Sequence, residues 1–298
     1  MRSLRKDIIR VNATGRAMQR IVVLNPKGGS GKTTIAINLA AYFALHGEQT
    51  VLIDHDPQAS AARWVRKRQE NQAPIHLIAA FERDSRVTRT FQLRIPDGAG
   101  RVIVDTPAAV QPHEMPELTR GADKILVPVL PSDIDIHAAS RCIQNLLLVA
   151  KVKREDRRLG IIANRVRRNT LVYQSLTRFL GTLDIPIVAT LRDSQAYVRA
   201  VGHGLGLPEM KPYQVSEDLA EWQPLLEWLD LPLGSSGSST GIRQILPATE
   251  PVPAPAETAA LIPERARPQV DDPTASGADE ADDGIVESDA FTPALRLA

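Results

Sequence analysis

Short apolar runs alternate with longer segments of helical periodicity over the first three quarters of the chain. Seven runs rich in β-branched residues have the length of buried strands: 21–25, 50–54, 75–79, 101–105, 124–128, 159–164 and 187–190. Between and after them, apolar residues recur at helical spacing in 33–45, 60–69, 136–152, 170–183, 194–201 and 216–229. This alternation predicts an α/β fold, a mainly parallel twisted sheet with helices on both faces. Ligands of such sheets bind beyond the carboxyl ends of the strands.

The pattern stops after residue 229, which suggests a boundary between folded and unfolded parts. Residues 233–241, LGSSGSSTG, have the composition of a flexible linker, and the remainder is rich in proline, alanine and acidic residues. The predicted organisation is a basic N-terminal arm at 1–20, an α/β domain at 21–233, and a linker with a disordered acidic tail at 234–298.

The formal net charge of +1 conceals two oppositely charged parts. Residues 234–298 contain four basic and eleven acidic residues, a balance of −7. Residues 1–233 therefore contain 32 basic and 24 acidic residues, a balance of +8. A basic body favours an anionic partner, nucleic acid first.

Cysteine content and hydropathy disfavour several other classes of protein. The one cysteine, Cys142, cannot form an internal disulfide, and no cluster of cysteine and histidine offers a metal site, so a cytoplasmic location is expected. Cys142 lies in a helical pattern and is expected to be a buried small hydrophobe. No apolar run has the length of a membrane span, so no membrane partner is expected.

A glycine-rich loop in VVLNPKGGSGKTT, residues 22–34, joins the first predicted strand to the first predicted helix. Free N–H groups at a helix start favour an anion, and glycines let the backbone approach phosphate closely. Gly31, Lys32 and Thr33 match the end of the P-loop pattern, with Lys32 on the β- and γ-phosphates and the Thr33 hydroxyl on Mg²⁺. The pattern's first glycine is replaced by Pro26. The alternative is a glycine turn in which the lysines occur by chance.

The earlier lysine of this loop, Lys27, makes the motif more specific. The stretch KGGSGKTT resembles the deviant Walker A loop of the ParA/MinD family of ATPases, which have a P-loop NTPase fold. In that family two subunits enclose two ATP molecules, so the resemblance implies ATP and Mg²⁺ as cofactors and a homodimer with ATP. It also implies that Lys32 acts in cis while Lys27 reaches the partner's nucleotide in trans, as an arginine finger does. The residues expected to bind the nucleotide are Gly28, Gly29, Ser30, Gly31, Lys32, Thr33 and Thr34.

Three aspartates lie at or just after the ends of predicted strands and complete the expected phosphate site. The segment VLIDHDPQAS resembles the family's DxDPQ motif, which implies that Asp56 orients the attacking water and that Asp54 supports the metal shell. The segment VIVDTPA resembles a Walker B strand, in which Asp105 reaches Mg²⁺ through water. For Asp56 and the following Pro57, an ordinary Asp-Pro turn is the alternative.

Two further segments have both a functional and a structural interpretation. Asn164 matches the family position that recognises adenine, although asparagine at a strand end is equally a turn residue. The segment LPSDIDIHA, residues 130–138, resembles the loop and helix start at the family's dimer face. Ser132 or Asp133 as a helix N-cap is compatible with that role.

The family's branches differ in the surface to which the ATP-bound dimer binds. MinD-like members end in a basic membrane-binding helix, whereas this C-terminus is acidic. ParA-like members bind DNA nonspecifically through basic residues of the C-terminal half, and phosphate contacts require only suitably placed charge. The corresponding candidates here are Arg165, Arg167, Arg168, Arg178, Arg192 and Arg199. An ordinary charged helix face is the alternative for each of them.

These resemblances predict a cytoplasmic, nucleoid-associated positioning ATPase of the ParA type. Its expected partners are a second copy of the chain, nonspecific DNA, and a cargo adaptor or centromere-binding protein that stimulates hydrolysis. The alternative is a MinD-like or cellulose-synthesis-associated regulatory ATPase that is recruited by protein contacts rather than by DNA.

Overall fold

Seven strands and seven α-helices alternate in residues 18–82 and 94–230, which are the residues that the computed structural model describes. The strands are β1 Gln19–Val23, β2 Thr50–Asp54, β3 Ile75–Ala79, β4 Arg101–Asp105, β5 Lys124–Val129, β6 Leu159–Val166 and β7 Ile187–Arg192. The helices are α1 Lys32–Leu45, α2 Ser60–Arg66, α3 Met115–Leu118, α4 Asp133–Leu148, α5 Leu171–Gly181, α6 Gln195–Gly202 and α7 Pro212–Asp230.

The strands form one parallel sheet in the order β3-β2-β4-β1-β5-β6-β7. The predicted parallel α/β fold is therefore confirmed. Strand β1 lies at the centre, and Val23 is paired with Asp105 on one side. Asp105 is in turn paired with Asp54 of β2. This register brings the ends of three strands level at one edge of the sheet, where the predicted site residues lie.

Two apolar layers cover the sheet, and strict alternation along the strands assigns residues to them. In β1, Ile21 and Val23 pack on the face covered by α1, α2, α6 and α7. Val22 and the following Leu24 pack on the opposite face with α3, α4 and α5. Cys142 of α4 belongs to this second layer, as expected for a small hydrophobe. Strands buried on both faces read as continuous apolar runs, which explains why the sequence identified the fully buried β2, β4 and β5. The edge strand β3 is only partly buried and carries an exposed His76.

The predicted helix boundaries differ from the structure where capping decides them. Helix α4 begins three residues earlier than the pattern indicates, because the Ser132 hydroxyl accepts a hydrogen bond from the Asp135 N–H. The N-cap interpretation of Ser132 is therefore confirmed. Helix α7 begins at Pro212, since proline has the required φ and needs no donor in the first turn. The short α3 and the 3₁₀ turns Pro112–Glu114 and Leu207–Glu209 were not predicted, because segments of three or four residues are too short to show a helical periodicity.

The predicted arm at 1–20 and tail at 234–298 fall largely or wholly outside the described residues, so those domain boundaries stay predictions. Across residues 18–82 and 94–230, none of the helices combines the length and hydropathy needed to cross a bilayer.

Candidate active site

The glycine loop leaves the end of β1 and enters α1 at the carboxyl edge of the sheet. Gly29 and Gly31 have φ angles of 77° and 94°, a region that side chains with a Cβ rarely adopt. Gly31 is the residue before the first helical position of α1, so the loop ends at a helix N-terminus, as predicted. Gly28 and Gly29 are exposed, Ser30 is buried and Thr34 is half-buried. The backbone of Gly28 and Gly29 is therefore exposed, next to the buried Ser30.

The start of the loop is fixed by contacts that the sequence did not reveal. The Asn25 side chain, fully buried, donates from Nδ2 to the Pro128 carbonyl at 2.7 Å and accepts from the Lys27 N–H at 2.9 Å. The Pro26 carbonyl accepts from the Ala109 N–H at 2.7 Å. Ala109 has a φ of 58°, an unusual value for a residue with a Cβ. The unusual φ of Ala109 cannot be recognised in the sequence. The polar Asn25 directly after an apolar strand is a signal that the sequence does contain.

Thr33 and Asp105 meet directly, which joins the P-loop to the Walker B strand. The Thr33 hydroxyl donates to Asp105 Oδ2 at 2.7 Å, and the Asp105 carboxyl is fully buried. Burial raises the pKa of Asp105 to about 7, against the opposing effects of the Thr33 hydrogen bond and the Lys32 charge. The second oxygen, Asp105 Oδ1, is buried and has no hydrogen-bond partner in the part of the chain that the structure describes. An orphaned carboxylate oxygen beside a threonine hydroxyl fits the hard oxygen ligands that Mg²⁺ prefers.

The two lysines of the loop have different surroundings. Lys32 is buried, and its ammonium donates to the Lys27 carbonyl at 3.2 Å. Burial lowers the pKa of Lys32, opposed by the charges of Asp105 and Asp56. Lys27 is half-buried, and among the described residues its ammonium makes no hydrogen bond or ion pair. One ammonium is thus held inside the loop, while the other is not engaged by an acidic residue.

Two aspartates lie at or just after the end of β2, and they differ in their contacts: Asp54 is the last residue of the strand, and Asp56 lies in the turn that follows. Both oxygens of the fully buried Asp54 accept backbone N–H groups, from Asp56 and from Ala62 of α2, each at 2.9 Å. Asp54 therefore fixes the turn that places Asp56, a contact that the sequence did not indicate. Asp56 is half-buried, and its Oδ1 accepts from the Gln58 N–H at 2.9 Å. The Asp-Pro turn and the proposed catalytic position thus coexist. The metal-shell role of Asp54 stays a prediction.

Asn164 lies against the phosphate loop itself. Its Nδ2 donates to the Ser30 carbonyl at 2.9 Å, and its Oδ1 accepts from the Arg165 N–H at 3.0 Å. A Cβ added at Gly31 would lie 2.2 Å from Asn164 Nδ2, so close packing as well as φ requires glycine there. The β6 ladder is irregular at this point, and Arg165 has a φ of 53°. The structure therefore brings Asn164 to the site, while adenine recognition stays a prediction.

The six arginines predicted to bind DNA do not form one free basic surface. The Arg192 guanidinium binds Asp218 of α7 through Nε at 2.7 Å and Nη2 at 3.1 Å, and Asp218 is fully buried. Arg192 Nη1 contacts Glu217 at 2.5 Å, and Arg168 contacts Glu221 at 3.1 Å. The hydrogen bonds from the guanidinium to Asp218 raise the pKa of Arg192. Arg192 and Arg168 therefore connect α7 to residues at or just after the ends of β7 and β6, while DNA binding by these two arginines stays a prediction.

The remaining four arginines differ in their surroundings. Arg165 and Arg167 both contact Asp193 at 3.2 Å. Arg178 and Arg199 are exposed, and neither makes an ion pair within the described part of the chain. The helices that carry them, α5 and α6, pack on opposite faces of the sheet. Proximity in sequence therefore does not make these arginines one patch.

Comparison with known proteins decides the family. The sequence model described as the CobQ/CobB/MinD/ParA nucleotide binding domain, CbiA, matches residues 21–207. The chain belongs to this family. Over 212 residues it is 30% identical to the maintenance of carboxysome distribution protein A of Gloeobacter kilaueensis, covering 70% of this chain and 93% of that protein. Over 185 residues the present chain is also 28% identical to the chromosome-partitioning ATPase Soj of Thermus thermophilus. This match covers 53% of the present chain and 74% of Soj.

The fold is likewise shared with a solved family structure. The septum site-determining protein MinD from Pyrococcus horikoshii, complexed with Mg-ADP, matches with a TM-score of 0.52 at 15% identity. The match covers 77% of this chain and 100% of that one. At such low identity the likeness shows the fold, and the expected P-loop NTPase architecture is thereby confirmed.

Proposed function

We propose that the chain is a ParA-like ATPase that closes into a dimer around ATP, binds DNA nonspecifically and positions a cargo. The observation that carries the proposal is the two-lysine loop, with Thr33 joined to the orphaned carboxylate of Asp105. The loop's exposed glycine backbone and helix N-terminus suit the phosphates of ATP. Lys32, already inside the loop, would bind the β- and γ-phosphates in its own subunit.

The residues that would hold Mg²⁺ are Thr33 and Asp105, with Asp54 supporting the surrounding shell. When bound there, Mg²⁺ would supply charge neutralisation for the phosphates. Asp56 would orient the attacking water, since its carboxylate lies close enough to Lys32 to affect that ammonium electrostatically. Lys27 would reach the partner's nucleotide and stabilise the negative charge that develops during transfer. Asn164 would recognise the adenine edge or hold the loop that contacts it.

The proposed cargo follows from what the relatives are named for. One relative maintains carboxysome distribution and another partitions chromosomes. For this chain we therefore propose a plasmid, a chromosome or a protein assembly as cargo, in a cytoplasmic and nucleoid-associated setting. A cargo adaptor or a centromere-binding protein would stimulate hydrolysis and release the dimer from DNA.

A second candidate is a MinD-like or cellulose-synthesis-associated regulatory ATPase that is recruited by protein contacts. The ion pairs of Arg165, Arg167, Arg168 and Arg192 favour it, because paired arginines are less available to phosphate. The two candidates share the ATP site and the dimer. They differ in whether ATP creates affinity for DNA.

Sedimentation of the full chain with DNA under ATP, ADP and no nucleotide separates these candidates. The DNA-positioning proposal expects cosedimentation with ATP alone, and Lys32→Ala should abolish it. Asp56→Ala should instead remain with DNA longer, since closure is retained while hydrolysis is lost. Equal sedimentation in all three states would contradict ATP control. An ATP-dependent dimer that never sediments with DNA would favour recruitment by protein contacts.

A further inference from the structure

Asn25 occupies the point at which the phosphate loop separates from the sheet. The β1–β5 pairing ends at Val23 and Leu126, while β5 continues past Pro128 to Val129. The Pro128 carbonyl accepts a hydrogen bond from Asn25 Nδ2 at 2.7 Å. The side chain thus replaces a strand N–H beyond the end of the ladder. Asn25 is fully buried, so this amide does not face solvent.

The other half of the same amide holds the backbone of Lys27. Asn25 Oδ1 accepts from the Lys27 N–H at 2.9 Å. The orientation of the amide is determined by its partners, because a carbonyl can only accept and a backbone N–H can only donate. The Lys27 carbonyl accepts from the Lys32 ammonium at 3.2 Å. Both backbone polar groups of Lys27 are therefore held.

The residue between them is also constrained. The ring of Pro26 fixes its φ, and its carbonyl accepts from the Ala109 N–H at 2.7 Å. Residues 25–27 thus have little backbone freedom, although the Lys27 side chain itself is half-buried and without an ion pair among the described residues. A long flexible side chain benefits most from a rigid root, because fewer conformations then compete with the productive one.

We infer that Asn25 is a positioning residue for Lys27, an inference that rests on the proposed trans role of that lysine. By holding the Lys27 N–H, Asn25 sets the direction in which the side chain leaves the loop. Phosphate binding within one subunit uses Lys32 and backbone N–H groups further along the loop. Loss of Asn25 should therefore affect the step that needs Lys27 more than the binding of ATP.

A double-mutant cycle on the full chain tests this inference with MgATP as the probe. Asn25→Ala should lower hydrolysis by about 10- to 100-fold, measured at protein concentrations that support the dimer. It should change ATP affinity by less than about threefold. In the Lys27→Ala background, Asn25→Ala should cause no further loss of hydrolysis, since its effect acts through that lysine.

Asn38→Ala is the matched control for loss of a buried asparagine. Asn38 of α1 is 1% exposed, donates to the Thr34 carbonyl and accepts from the Leu207 N–H, both at 2.7 Å. Its replacement should lower the thermal midpoint without the coupling to Lys27. If Asn25→Ala does not fold, Asn25→Ser provides a neutral hydroxyl that can accept from the Lys27 N–H two residues on, and this variant should keep most of the hydrolysis rate.

The outcomes distinguish this inference from the proposed function. Normal hydrolysis in Lys27→Ala would remove the trans role itself, and the inference with it. If the losses of hydrolysis in Lys27→Ala and Asn25→Ala add up in the double mutant, the positioning role of Asn25 is overturned while the role of Lys27 stands. A loss of ATP affinity in Asn25→Ala as large as its loss of hydrolysis would have the same meaning. A folded Asn25→Ser variant as inactive as Lys27→Ala would also overturn the positioning role.

Discussion

The phosphate loop and the arginine-rich segment 165–199 are both strongly basic in sequence, yet their cations lie in opposite surroundings. In the loop, Lys32 contacts a backbone carbonyl, and Lys27 has no ion-pair partner among the described residues. In the segment, Asp193, Glu217, Asp218 and Glu221 neutralise four of the six arginines. Neither cation of the loop has an ion pair within the described residues, whereas four of the segment's six arginines are paired with acidic residues, and Arg168 and Arg192 are paired with residues of α7.

The difference shows why the contacts of the loop are visible in local sequence, whereas the ion pairs of the arginines are not. The lysines and glycines of the loop and Thr33 lie within seven consecutive residues, 27–33, so they can be recognised together as one sequence motif. The acids that pair with Arg192 lie on α7, about 25 residues further along the chain. Charge counting includes the arginines and the acids in one sum, but it does not tell which of them touch.

The largest expected effect separates the two lysines of the loop. Lys32→Ala should weaken ATP binding by about 1000-fold, because it removes the cation inside the phosphate cradle. Lys27→Ala should leave ATP affinity nearly unchanged and remove partner-stimulated hydrolysis. Equilibrium titration with a fluorescent ATP analogue and steady-state hydrolysis measure the two quantities. Equal losses of affinity in both variants would contradict the trans assignment.

Much of the fold and the phosphate site could be predicted because both depend on local patterns. Buried parallel strands are continuous apolar runs, and Asp54 and Asp105 are the last residues of their strands. What could not be predicted depends on packing between distant segments. Examples are the Asn25 contact with Pro128 and the contact of the left-handed Ala109 with the Pro26 carbonyl. Each joins residues whose proximity exists only after the sheet has formed.

The second prediction concerns Arg192 as a structural residue. Arg192→Ala should lower the free energy of unfolding by about 2 kcal/mol, since it leaves the buried Asp218 carboxylate without its partner. Asp218→Asn in the same chain should recover part of that loss by removing the unpaired charge. Arg199→Ala, at an exposed position of α6, is the control and should change stability little. Urea unfolding gives all four values, and an unchanged midpoint for Arg192→Ala would refute the structural role.

A smaller effect is expected at the two exposed arginines of the segment. Arg178→Ala and Arg199→Ala should each weaken ATP-dependent DNA binding by about threefold, and each lost phosphate contact should reduce the salt slope by about 0.9. Arg165→Ala should have less effect, because Asp193 already neutralises that side chain. Fluorescence anisotropy with labelled DNA across a salt series measures affinity and slope together. A greater loss at Arg165 than at Arg178 or Arg199 would show that ion pairing does not determine which cations meet DNA.

Lys124 extends the comparison to a buried cation that has no ion pair at hydrogen-bond distance within residues 18–82 and 94–230. This first residue of β5 is 2% exposed, and its ammonium lies 4.2 Å from the centroid of the Trp228 ring. Burial lowers the pKa of Lys124 from 10.5 to about 8, against the raising effect of Asp123. A folded-state pKa below the unfolded value means that protonated Lys124 opposes folding.

The last predicted effect follows from that sign. Lys124→Met should raise the free energy of unfolding by about 1 kcal/mol at pH 7, because the removal of a buried charge outweighs the lost contact with Trp228. Between pH 8 and 10.5 the wild-type chain loses its proton in the folded state first, so its stability should rise and the difference should close. Urea unfolding of both chains at pH 7, 9 and 10.5 measures the difference, with the exposed Lys153→Met as control. A difference that stays constant with pH would mean that Met stabilises by packing alone, and that Trp228 and Asp123 compensate the buried charge.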